Sequence, residues 1–216
     1  MKKLGIISIG AALLAAAAIP GLAAAQETPW SVRVGVGELH MANKSDAFTA
    51  LNLNFPADAV HVNNKAIPEV DVYYTFNPNI VAQLVLTVPQ SQEVKLGGPT
   101  NDASLGTFKH LPPSLVAQYH FLPGTQFDPY VGLGVNFTWI TSVNLSVAGV
   151  PLDLKKTSFG AVLDVGGDFN VDKRWFVNLD FKLINPLQSD VSAGGTKLTT
   201  AKLNPYLYSL GVGYHF

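Results

Sequence analysis

Seven ionisable residues punctuate otherwise apolar stretches of the chain: Arg33, Glu69, Asp71, Asp164, Asp168, Asp180 and Lys182. Arg33 stands between Val32 and Val34, and Asp71 between Val70 and Val72. A period of two belongs to a strand and sends the charged and apolar sets to opposite faces. Charges on an enclosed face must pair or be hydrated. Arg33 can then reach Glu69 or Asp71, and Lys182 can reach Asp180 or Asp164. Two uses are open: a polar plug that stabilises the interior, or a selectivity filter with a net acidic bias.

Other chemistry is harder to assemble. Covalent catalysis needs a nucleophile and a base within hydrogen-bond reach, but the histidines are scattered at 40, 61, 110, 120 and 215. His40 and His61 share the first long connection and could meet there; His110 lies in the second. Ser114 and His120 are three same-face steps apart along one strand, too far to act together. No Ser sits at a nucleophile elbow, and no His pair has metal-ligand spacing. The Gly-x-Gly pairs lie within strands, lack a third Gly and open no helix, so they are not nucleotide loops. The expectation is a protein that is not an enzyme and uses no metal or organic cofactor.

Eight segments of about ten residues alternate in this way, at 30–39, 67–76, 80–88, 113–121, 130–140, 158–170, 175–183 and 208–216. That length suits a tilted membrane strand. The last runs Tyr208, Leu210, Val212, Tyr214 and Phe216 on one face and ends the sequence on an aromatic. Such an ending resembles the signal through which barrel-assembly machinery takes up outer-membrane barrels. Met1-Lys2-Lys3, an apolar run to Ile19 and Ala23-Ala24-Ala25 read as a secretory signal peptide over 1–25, with a barrel domain over 26–216. Without that leader, 12 basic and 15 acidic residues remain, a formal charge of −3, which does not point to nucleic acid. The absence of Cys removes disulfides as a means of holding an exported domain together.

The connections sort themselves. Those near Asn77-Pro78-Asn79, Pro123-Gly124 and 171–174 are tight, whereas 40–66, 89–112, 141–157 and 184–203 hold roughly 17 to 27 residues each. Strict alternation of short and long connections is the mark of an up-and-down barrel with periplasmic turns and extracellular loops. Aromatics near the segment ends, among them Trp30, Phe76, Trp175, Trp139 and Phe159, fit interfacial girdles. The fold expected is therefore all-β: an eight-stranded antiparallel transmembrane β-barrel in the bacterial outer membrane.

Inward parity also collects Gly35, Gly37, Gly132, Gly134, Gly160, Gly166, Gly211 and Gly213. They relieve crowding in a tightly curved sheet, or they leave room for a slender solute. Phe48, Leu51, Leu53 and Phe55 in the first long connection cap the mouth, form a hydrophobic groove at its entrance, or pack on one another.

These residues resemble the OmpW family of small outer-membrane proteins, which includes AlkL-type proteins of hydrophobic-compound uptake. The likeness is densest at His110-Leu111-Pro112-Pro113-Ser114. It continues through Pro129-Tyr130-Val131-Gly132, Ser158-Phe159-Gly160-Ala161, Asp172-Lys173-Arg174-Trp175 and Leu203-Asn204-Pro205-Tyr206 to Phe216. The resemblance implies a narrow lumen that admits small hydrophobic molecules across the lipopolysaccharide layer, with release sideways into the membrane lipid as one route. It places constriction positions near Val85 and Lys182, the latter a lysine where an aromatic is expected. On that basis Lys182→Trp should alter solute preference more than stability. The alternative is a structural or surface-interaction barrel with no transport role.

Overall fold

A computed structural model describes residues 28–216; the expected leader lies outside the described residues. Eight strands form the barrel: β1 (Trp30–His40), β2 (Lys65–Asn77), β3 (Ile80–Leu86), β4 (Ser114–His120), β5 (Phe127–Val147), β6 (Thr157–Asn170), β7 (Trp175–Asn185) and β8 (Tyr206–His215). Each pairs antiparallel with the next. β1 closes on β8 in a register running from Ser31 opposite His215 to His40 opposite Tyr206. Backbone bonds from Thr28 and to Trp30 hold Phe216 at the seam. Closure removes the unpaired edges that lipid could not satisfy.

The two-residue period sets the faces. Leu133 and Phe159 are each 70% exposed on the outside, while Arg33, Asp71 and Asp164 are fully buried inside. Aromatic pairs ring the turn end, Trp30 against Tyr74 and Trp175 against Tyr214, each 4.8 to 4.9 Å between ring centres. Phe137 and Phe159 meet at the other end. The turns supply their own hydrogen-bond partners. Asn77 accepts from the backbone N–H groups of Asn79 and Ile80, and Asp172 accepts from those of Arg174 and Trp175. The second pair of bonds holds the Asp172 carboxyl below its usual range. Gly124 takes φ +77° in its turn, a conformation that disfavours any residue with a Cβ.

The long connections are not simply loops. Strands Gln90–Leu96 and Ala103–Leu111 pair with each other, as do Gln188–Ala193 and Thr196–Lys202. The 21-residue β5 runs beyond the membrane strands to pair with Ala103–Leu111 and Val150–Leu154. Val60–Val62 and Lys44–Ser45 add to the same wall. Here the faces invert. Val94, Leu96, Phe108, Leu152 and Leu154 are buried inside, while Lys95, Lys109 and Asp153 meet water. An extension bathed in water must bury its apolar face, and only the lumen is available for it. A separate hairpin, Phe48–Ala50 with Leu53–Phe55, lies across the mouth.

Candidate functional site

The interior has a charged floor. Arg33 on β1 donates to Asp71, Asp180 and Glu69, the last two at 3.0 and 3.2 Å, and to the side-chain carbonyl of Asn178. Lys182 on β7 bonds Asp180 and lies 3.4 Å from Asp164. Direct cross-strand register produces the pairs Arg33–Asp71 and Lys182–Asp164. The longer reach from β1 to β7 passes over β8 at Gly211, where a Cβ would meet the Arg33 chain at 2.8 Å. Neutral groups complete the layer. Gln118 donates to Gln83 and Asp164, Gln83 to Asp71, and Asn178 to Asp168 and the Tyr130 hydroxyl.

The inward glycines are filled by their neighbours. Gly134 lies under the Leu115 carbonyl of β4, Gly166 against the Tyr130 ring and Gly213 against the Phe176 ring. Their missing side chains relieve crowding, the first of the two uses that the sequence left open.

Above the floor the chemistry reverses. A chamber of about 50 Å³ is lined by Phe48, Phe55, Leu96, Phe108, Leu145 and Leu154 among other apolar groups. Between chamber and floor lies a smaller cavity of about 20 Å³, bordered by Val85, Thr87, His110, Pro112, Glu69 and Lys182. Val85 and Lys182, on separate strands, thus share one cavity.

The backbone pairing of the wall is interrupted at that level. The β3–β4 ladder stops at Val85 opposite Ser114, and pairing resumes only at Gln90 opposite His110. Residues 86–89 and 111–113 face each other without ladder pairs. Pro89, Pro112 and Pro113 have no N–H to contribute. On the other flank the β2–β3 ladder ends at Val70 opposite Leu86, and beyond it the Thr87 hydroxyl bonds the Pro68 carbonyl at 2.7 Å. Thr87 and Pro112 border both the gap and the smaller cavity.

Residues 26–216 match the OmpW family. The chain belongs to that family. An uncharacterised outer-membrane protein, y4mB of Sinorhizobium fredii, is 34% identical over 200 residues, covering 89% of this chain and 82% of that protein. A dibenzothiophene metabolism operon protein, PahQ of Pseudomonas aeruginosa, is 26% identical over 199 residues, covering 89% and 90%. The crystal structure of the outer-membrane protein OprG from Pseudomonas aeruginosa superposes with a TM-score of 0.76 at 23% identity, covering 88% of this chain and 97% of that one. Outer-membrane location and barrel fold follow.

In this OmpW-family barrel the residues singled out from sequence divide by depth. Arg33, Glu69, Asp71, Asp164 and Asp180 join Lys182 in the floor. Phe48 and Phe55 stack at 4.9 Å and face the chamber, whereas Leu51 and Leu53 are exposed on the hairpin turn and beyond it. His40 and His61 do not meet: His40 stacks on Tyr206, and His61 bonds Asp102. His120 bonds Asp128 at 2.9 Å. Among the described residues no three His, Asp or Glu side chains form a metal-sized cluster. Gln83, Gln118 and Asn178 had the parity to be found but carried no charge to draw notice. The chamber walls were hidden because their strands had been read as loops.

Proposed function

We propose that the barrel passes small hydrophobic molecules from the cell surface into the apolar chamber and then sideways through the wall gap into membrane lipid. The observation that carries this is an apolar chamber above a charged floor, with a small cavity and an unpaired stretch of wall between them. An axial route would part buried ion pairs, and removing one partner of such a pair costs about 3–5 kcal/mol. The sideways route breaks no backbone ladder bond. The operon named in PahQ's description, concerned with an aromatic sulfur heterocycle, supports the same solute class.

The test is uptake of naphthalene and of a polar solute of similar size, in cells with the barrel, without it, or with residues 47–56 replaced by a short Gly-Ser linker. Faster naphthalene uptake that depends on the mouth hairpin is expected. A barrel shown to be folded and inserted that changes neither rate would move the weight to a surface-interaction role. The double change Pro89→Thr, Pro112→Val restores two N–H donors and should slow naphthalene severalfold. Undiminished uptake, with the added pairing confirmed by amide protection, would rule out the sideways exit.

A further inference from the structure

Two buried polar side chains on the paired strands Gln90–Leu96 and Ala103–Leu111, beyond the gap, have no hydrogen-bond partner among the described residues. His110 is 2% exposed, and both ring nitrogens are unpartnered; Gln92 is fully buried, and both its amide atoms are unpartnered. The register sets Gln90 opposite His110 and Gln92 opposite Phe108. Gln92 and His110 are therefore diagonal neighbours on the inner face, within reach of long side chains. Phe108 lies 5.6 Å from the His110 ring, and Ile140 is its partner on β5. His110 borders the smaller cavity beside Thr87 and Pro112, at the edge of the gap.

Each buried polar group without a partner costs about 1–3 kcal/mol, and a core without function would hold apolar groups here, as the same face does at Val94 and Leu96. Gln90, one step along, shows the ordinary solution: its amide bonds Thr87 and Val88. Burial, with a smaller contribution from Lys65, pushes the His110 imidazole down to about 4. The neutral ring then offers one N–H donor and one bare acceptor nitrogen, and the Gln92 amide also offers both kinds. A hydroxyl, which donates and accepts, matches such a pair.

We propose that His110 and Gln92 form a hydrogen-bonding station beside the wall gap, selecting small solutes that carry one hydroxyl on an apolar body over hydrocarbons of the same shape. This rests on the uptake reading above and narrows its substrate class. A solute leaving the chamber would place its hydroxyl against the His110 ring while its apolar body stays among Ile67, Val85 and Leu207, which border the same cavity.

The experiment compares 2-naphthol with naphthalene, each rate corrected for cells lacking the barrel. In the wild type the corrected ratio should favour naphthol. In His110→Phe, Gln92→Leu it should fall about five- to tenfold, the worth of one or two hydrogen bonds. An unchanged ratio in a folded double variant overturns the proposal. A second measurement needs no variant: in barrels carrying ¹⁵N-histidine in lipid nanodiscs, 2-naphthol should shift the His110 ring nitrogens and naphthalene should leave them in place. No naphthol-specific shift also overturns it. If the wild type passes neither solute, the uptake reading itself fails; equal passage of both defeats the hydroxyl preference alone.

Discussion

Lys182 shows how neighbours decide what a residue does. Viewed alone on its strand, it stands where the family resemblance expects an aromatic, so Lys182→Trp promised a change in solute preference. In the barrel its ammonium sits between Asp164 and Asp180, and Asp180 is also held by Arg33. Removing Lys182 leaves Asp164 with no cation in contact among the described residues. The expected order is therefore reversed: Lys182→Trp or Lys182→Met should cost about 3–5 kcal/mol, the usual penalty for breaking a buried pair. The check is the urea midpoint of the folded, heat-modifiable form. Asp164→Asn combined with Lys182→Met should recover part of the loss, because the stranded charge goes with it. A midpoint unmoved by Lys182→Met would mean that the pair is hydrated and contributes little.

At the scale of strands, the glycines and the prolines do opposite things. The inward glycines let strands and side chains approach closely where a narrow barrel is most crowded. At Gly134 any Cβ would run into the backbone carbonyl of Leu115, which has no side-chain freedom with which to yield. Gly134→Val should therefore abolish the folded form. Gly149→Ala is the contrast. Nothing lies within 4 Å of the new atom there, and only its φ of +80° opposes the change, for a cost of about 1–2 kcal/mol. Electrophoresis with and without heating separates the two outcomes; a stable Gly134→Val barrel would show that β4 and β5 can part. The prolines at 89, 112 and 113 act by subtraction, removing donors from adjacent stretches of wall and leaving the gap.

Taken whole, the molecule is a closed barrel carrying an outer sheet of opposite polarity: apolar outside and polar inside within the membrane, then polar outside and apolar inside above it. Because the floor spans the lumen with paired side chains, the barrel should show no steady ion conductance in a planar bilayer. Steady conductance would mean that the charged layer is an open filter and not a plug. The eight membrane strands, their faces, the closing strand and the alternation of turns and long connections were legible in the sequence, because lipid imposes one uniform rule on every outward position. The members of the charged layer were legible for the same reason: a charge at inward parity is conspicuous among Val and Leu. What could not be read was which partner each charge takes. Arg33 reaches Asp180 only because closure brings β7 and β8 round to β1 and Gly211 leaves room to cross. The outer strands were hidden for a related reason. Once out of lipid the pattern inverts, and Gln90, Gln92 and His110 on the inner face blur an alternation that Val94, Leu96 and Phe108 complete only in register. The sequence by itself determined which residues face lipid and which face inward, since that follows from local period and a single solvent. Only the tertiary structure decided the depth of each inward residue, the chamber above the floor and the gap between them, since these depend on ladder register between segments far apart in the chain.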